Sequence, residues 1–256
     1  MDPEALRQRR IASQFAFIEE IGRGSPGAQV IDLDGIRGSV CPARPDRSIV
    51  NGVAYTDGAA LIGAIDDLAR IYAEAQITAW TVWVPEADRE VAAAREAAGH
   101  VLDGRPREMG GVLADLDLAP SRELELDGEP SHVDVAEINE AAYFKSAGGA
   151  YFGPSLAQTG GRRYLARHDG RPASCLIVFD VGADAYIGLV ATRPEAQRRG
   201  LSGELLRLAL REASERGLTS TTVEATAAGA PVYARLGYDD LGVVEMWERR
   251  VRNDSA

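Results

Sequence analysis

The sequence predicts an α/β protein in which a mixed, mostly antiparallel sheet is flanked by helices, built as two halves of similar order. Three observations lead there. Residues 163–191 read as successive strands, residues 204–238 alternate helix, strand and short helix, and the segment 94–100 lies on 232–238 as an internal repeat.

In the C-terminal half, Arg163–Arg167 and Ala173–Val181 are strand-like runs joined by the turn His168-Asp169-Gly170, and a third apolar run spans Ala185–Ala191. Leu205, Leu206, Ala209, Leu210 and Ala213 recur at helical spacing within Glu204–Arg216, and Gly217 is placed to end that helix. Leu218–Ala225 alternates Thr with β-branched residues as a strand does, Ala230–Leu236 reads as a short helix stopped by Gly237, and Val243–Val251 as a closing strand.

The N-terminal half repeats the later part of this order: a helix Ala60–Ala75, a strand Ile77–Val84, a helix Asp88–Ala98 ended by Gly99, and a strand pair between Val101 and Leu116. When Ala-Arg-Glu-Ala-Ala-Gly-His is laid on Val-Tyr-Ala-Arg-Leu-Gly-Tyr, the helix-stopping glycines Gly99 and Gly237 coincide and Arg95 falls on Tyr233. The Pro-, Glu- and Gly-bearing stretch Ala119–Ser131 is the natural joint, dividing the chain into 1–119 and 120–256.

Composition narrows the function. Acidic residues outnumber basic ones 39 to 28, a net charge of −11, which argues against nucleic acid and anionic lipid as partners and suits a cationic substrate. Apolar runs fall far short of the roughly 20 residues that span a bilayer. The charged start Met1–Arg10 has no secretory pattern, so a cytoplasmic location is expected. Cys41 and Cys175 have no second cysteine at metal or redox spacing and read as small buried residues; no metal is expected.

The chemistry concentrates in Leu189–Leu206, a strand, a turn, a basic glycine-bearing loop and a helix. Unpaired backbone N–H groups at a helix start point along the positive end of its dipole, and small residues at Gly200, Ser202 and Gly203 let a phosphate approach the backbone, with Arg198 and Arg199 nearby. This loop resembles motif A of the GNAT superfamily of N-acetyltransferases, which reads Gln/Arg-x-x-Gly-x-Gly/Ala: Gln197 and Gly200 match, and Ser202 departs from Gly or Ala. Farther on, Tyr233-Ala-Arg-Leu-Gly237-Tyr238 looks like the family's Tyr-x-x-x-Gly-Phe/Tyr signature. The resemblance covers about residues 130–250 and implies a GNAT-type fold.

It further implies that acetyl-CoA is co-substrate, with its pyrophosphate on Gln197, Arg198, Arg199, Gly200, Leu201, Ser202 and Gly203. The splayed strand end Leu189, Val190 and Ala191 would then orient the thioester, and Tyr233 would protonate the departing thiolate. The amine must lose a proton before it attacks. Glu224 is the first candidate base, with Asp184 and Tyr186 as alternatives.

In the N-terminal copy the corresponding stretch, residues 51–60, carries Asp57 where the other copy has arginines, and Arg95 replaces the tyrosine. This half therefore reads as a degenerate copy without cofactor, a wall for the acceptor site; Tyr72, Trp80 and Trp83 are core or pocket residues. The loop Tyr143–Pro154, with Lys145, Gly148, Gly149, Tyr151 and Phe152, is a candidate acceptor lid. The expected function is acetyl transfer to a primary amine on a small molecule. The alternative is a non-catalytic acyl-CoA sensor, and a homodimer is left open.

Overall fold

The computed structural model describes residues 1–143 and 153–251. Helix α1 (Pro3–Gly22) starts where Asp2 accepts the Ala5 N–H at 2.7 Å and Pro3 supplies a preset φ. Strands β1 (Gln29–Leu33) and β2 (Ile36–Val40) form a hairpin whose Leu33↔Ile36 pair encloses Asp34-Gly35, with Gly35 at φ +68°. Strand β3 (Gly52–Tyr55) follows. The single helix expected over 60–75 is instead two, α2 (Gly58–Gly63) and α3 (Ile65–Glu74), because Gly63 is a weak helix former and Ala64 turns out of helical geometry at φ −91°, ψ 4°.

The chain continues through β4 (Ala79–Pro85), α4 (Arg89–Ala97), β5 (Val101–Gly104), β6 (Arg107–Val112), the short β7 (Glu125–Leu126) and α5 (His132–Tyr143). The expected meander is β8 (Arg162–His168), β9 (Arg171–Val181) and β10 (Asp184–Thr192). It leads into α6 (Leu201–Glu215), β11 (Ser220–Ala225), α7 (Ala230–Leu236) and β12 (Asp239–Arg250). Helix α6 starts three residues before the expected Glu204 because Gly200 can adopt a left-handed N-cap.

Contacts divide the chain into two compact units. One comprises Met1–Ser13, Arg107–Gly153 and Gly160–Leu241; the other comprises Gln14–Pro106, Pro154–Thr159 and the chain from Gly242. This division differs from the joint expected at 119/120. Strand β6, read from sequence as N-terminal, is hydrogen-bonded to β11 with Gly110 opposite Thr222, and Met1–Ser13 packs within the same unit.

In the first unit the strand order is β6-β11-β10-β9-β8-β7, with β10 and β11 parallel and the other neighbours antiparallel. The apolar stripe of α6, Leu205, Leu206, Ala209, Leu210 and Ala213, packs on Val178, Ile187, Val223 and their neighbours. Each of its leucines contributes about 1.5–3 kcal/mol by leaving water. In the second unit the order is β1-β2-β3-β4-β12, with β5 also on β12 and β3 parallel to β4. Its core gathers Val53, Leu61, Leu68, Tyr72, Trp80, Val82 and Val91. Trp83, by contrast, is only half-buried.

The repeat is visible in backbone geometry. Helices α4 and α7 both end at left-handed glycines, Gly99 at φ +83° and Gly237 at φ +97°. The Arg95 carbonyl accepts the His100 N–H at 3.0 Å, and the Tyr233 carbonyl accepts the Tyr238 N–H at 3.2 Å. The 94–100 and 232–238 segments therefore occupy matching places, each after the second strand of a parallel pair.

Candidate active site

Strand β10 is interrupted where the sequence placed a thioester-orienting end. Its register with β9 shifts between Gly188 and Ala191, and Leu189 sits at φ +53°, a conformation that costs a branched side chain energy and persists only when its surroundings hold it. Two donors from α5 do so: Asn139 Nδ2 bonds the Leu189 carbonyl at 3.0 Å, and the Tyr143 hydroxyl bonds the Val190 carbonyl at 2.6 Å. Asn139 was not singled out from sequence, and Tyr143 was named only as the first residue of the candidate lid. Their spacing of four residues on one helix face was the available signal, but it acquires meaning only once α5 lies against the bulge.

Pairing between β10 and β11 covers only Asp184–Tyr186 against Ser220–Thr222. Beyond that the strands part, β11 continuing beside β6 to Ala225. At the end of β10 the chain makes a turn at Pro194–Ala196, Gln197 Nε2 bonds the Thr192 carbonyl at 3.2 Å, and Arg198 and Gly200 adopt φ +59° and +77°. Gly200 then caps α6 with no side-chain hydrogen bond to the helix. The first N–H groups of the helix, those of Leu201, Ser202 and Gly203, thus have no side-chain cap and carry the positive end of the helix dipole. The side chain of Leu201 packs with Ala173 and Ala196, so only its backbone is available.

The same position in the second unit is closed. There Asp57 caps α2 itself, accepting the Ala59 and Ala60 N–H groups at 2.9 and 3.1 Å. The carboxylate thus satisfies the first N–H groups of its own helix.

Arg122 is a further cation at the cradle. Its Nη1 bonds the Arg199 carbonyl, and a Cβ added at Gly200 would lie 2.9 Å from its Nη2. Glu204, buried in the first turn of α6, accepts the Ser121 N–H at 2.9 Å and so seats this segment beside the helix start. Next to it is a cleft of about 320 Å³ lined by Arg122, Leu124, Arg167, His168, Arg199 and Leu201. His168 itself lies 3.6 Å from Asp169.

Tyr233 is buried on α7, edge-on to Tyr238 with ring centroids 5.3 Å apart. Burial, reinforced by Tyr238, Tyr143 and Glu224, pushes its phenol well above the ordinary range, so the group holds its proton. Glu224, nearly buried, accepts Arg10 Nη1 at 3.1 Å and also the Tyr186 hydroxyl. Arg10 Nη2 simultaneously meets Glu108 at 2.6 Å, so one guanidinium bridges two buried carboxylates. Burial pushes the Glu108 carboxyl up, against the pull of Arg10. Asp184 is taken up by the hydroxyls of Ser13, Ser220 and Thr222 at 2.8, 2.6 and 2.5 Å.

The thiol of Cys175 is pushed up to about 12 by burial and is no nucleophile. Among the described residues no group of three or more His, Cys, Asp or Glu is arranged to hold a metal, and no helix is long and apolar enough to cross a membrane. The candidate lid lies, apart from Tyr143 and the Gly153–Leu156 turn, outside the described residues.

Comparison with known proteins agrees with this geometry. The Acetyltransferase (GNAT) family model matches residues 132–238. A GCN5-related N-acetyltransferase from Kribbella flavida is similar in fold, at 18% identity and TM-score 0.67, with 96% of each chain covered. A conserved protein of unknown function from Staphylococcus epidermidis is similar at 13% identity and TM-score 0.63, covering 88% of this chain and 95% of that one. A tandem GNAT protein from the clavulanic acid biosynthesis pathway is similar at 15% identity and TM-score 0.55, covering 96% and 97%. No curated protein matches the sequence. The bulged strand, the uncapped helix start and the tyrosine helix all lie inside residues 132–238, the span that matches the Acetyltransferase (GNAT) family model.

Proposed function

We propose that the first unit catalyses acetyl transfer from acetyl-CoA to a primary amine on a small molecule. The observation that carries this reading is the uncapped start of α6 behind Gly200, set against the self-capped α2 of the second unit. The residues fit the cofactor: Gly200 has no Cβ to obstruct a pyrophosphate, and the N–H groups of Leu201, Ser202 and Gly203 carry the positive end of the helix dipole. Gln197, Arg198 and Arg199 are exposed beside them. When bound, acetyl-CoA supplies the activated acyl group.

The chain's own residues do the rest. The backbone of Leu189, Val190 and Ala191, held from behind by Asn139 and Tyr143, orients the acyl carbonyl. Tyr233 keeps a proton at its phenolic oxygen and delivers it to the leaving thiolate. Glu224 receives the proton of the acceptor ammonium after exchanging one of its present donors, Arg10 or Tyr186, for the substrate. Two buried carboxylates near the splay, Glu108 and Glu224, favour a cationic acceptor over an anionic one.

A second reading is favoured by one observation. Glu224 is already satisfied by Arg10 and Tyr186, as it would be in an acyl-CoA sensor without turnover. Thermal unfolding with and without acetyl-CoA, followed by release of free CoA thiol over a panel of amines, separates the two. Stabilisation with amine-dependent release supports the enzyme; stabilisation without release for any amine supports the sensor. No stabilisation overturns both. In the enzyme, Tyr233→Phe should lower turnover by about 10²-fold or more while acetyl-CoA affinity stays nearly intact.

A further inference from the structure

The second unit contains an arrangement that the transferase reading does not use. Arg95 on α4 is fully buried, and none of its guanidinium nitrogens has a partner. His100, just past the helix, is 2% exposed, and neither ring nitrogen has a partner. Five buried nitrogens, Arg95 Nε, Nη1 and Nη2 with His100 Nδ1 and Nε2, thus belong to two neighbouring side chains without a single hydrogen bond. Buried polar atoms in folded proteins are paired in about nine cases out of ten, and a buried unpaired cation is among the costliest arrangements known.

Among the described residues no carboxylate pairs with either side chain. Asp88, the cap of α4, is spent on the Tyr55 hydroxyl at 2.7 Å and the Val91 N–H at 3.1 Å. Arg249, opposite Trp80 on β12, adds positive charge to both groups. Burial, with Arg95 and Arg249, pushes the His100 imidazole down to about 3, and burial lowers the Arg95 guanidinium to about 10. The remaining walls are aromatic: Trp80 meets His100 edge-on at 4.5 Å and stacks on Tyr72 at 4.6 Å.

We propose that Arg95 and His100 form a binding site for a small oxyanion, a carboxylate or phosphate group, inside the second unit. A planar guanidinium takes two oxygens of such a group at once, and the imidazole N–H takes a third contact or the remaining oxygen. The repeat places Arg95 where the first unit has Tyr233, so the two units carry different polar groups at one place in the fold. The second unit then reads as a ligand-holding module, not an inert wall.

All three tryptophans of the chain, Trp80, Trp83 and Trp247, lie in the second unit, and Trp80 touches His100, so intrinsic fluorescence reports on this site. The full-length protein is titrated with inorganic phosphate and, separately, acetate against chloride at constant ionic strength, following fluorescence and melting temperature. A saturable fluorescence change with a rise in melting temperature is expected for at least one anion, and its identity assigns the phosphate or carboxylate source. Both responses should vanish in Arg95→Met, which in chloride should be at least as stable as the parent. Indifference of the parent to both anions, or the same response in Arg95→Met, overturns the proposal. If Arg95→Met does not fold, His100→Asn carries the test. Binding about tenfold weaker is expected for the loss of one hydrogen bond to a charged group, and unchanged binding overturns the proposal.

Discussion

The Tyr143 hydroxyl donates to the Val190 carbonyl at 2.6 Å, fastening the last residue of α5 to the irregular part of β10. Val190 follows Leu189, whose left-handed φ of +53° makes the bulge. Tyr143→Phe removes only this bond. Folding stability measured in urea should fall by about 0.5–1.5 kcal/mol. The affinity for acetyl-CoA, measured by calorimetry, should fall by more than that if the carbonyl bond holds the strand end in place. A loss of stability without a loss of affinity would detach the bulge from cofactor binding.

Gly200 and Gly203 lie one turn apart at the start of α6 and should answer mutation oppositely. Gly200 is at φ +77° with Arg122 2.9 Å from an added Cβ, so Gly200→Glu brings strain and a negative charge to the cradle. Acetyl-CoA should no longer raise the melting temperature. At Gly203 the nearest atoms to an added Cβ are 3.9 Å away, and the residue is helical. Gly203→Ala should therefore stabilise the fold by about 0.5–1 kcal/mol.

Arg10 holds Glu108 at 2.6 Å and Glu224 at 3.1 Å with little solvent near any of them. Replacing it by Met leaves two carboxylates buried without their cation. Arg10→Met should cost about 3–5 kcal/mol in chemical denaturation, and Arg10→Met with Glu108→Gln and Glu224→Gln should recover much of it. Additive losses across the three substitutions would mean the groups are not coupled.

The imidazole of His100 is pushed down to about 3 from 6.5. A group depressed on folding contributes stability that is complete above its unfolded value and is lost as pH falls toward its folded value. Between those limits it should add a slope of about 1.4 kcal/mol per pH unit to the acid limb of the stability curve. His100→Asn should flatten that limb in denaturation followed by tryptophan fluorescence. An unchanged slope would mean that His100 is charged or exposed in solution.

Much of this was legible in the chain. Gln197, Gly200 and Ser202 lie within six residues and Tyr233 within a single short helix, so their placement follows from local geometry: a left-handed cap, an open helix start, a fixed offset to Gly237. The alternating meander and the period of α6 are likewise local patterns, and they predicted the strands and the helix face that packs on them. The cap Asp57 at the start of α2 is likewise local, two and three residues from the N–H groups it accepts.

Partners distant in the chain were not legible, because no pattern in a short window encodes them. Arg10 reaches Glu224 across 214 positions, Asn139 reaches Leu189 across 50, and Arg122 reaches Arg199 across 77. The division into units was settled the same way, since β6 belongs with β11 through paired backbone groups that a composition shift at 119 does not register. The sequence by itself determined that a glycine-capped helix start and a tyrosine on a short helix exist, since neighbouring residues build each of them. Only the tertiary structure decided which carboxylates share Arg10, which strand end is held in a bulge, and which buried guanidinium has no partner among the described residues, because those outcomes depend on desolvation and pairing between segments far apart in sequence.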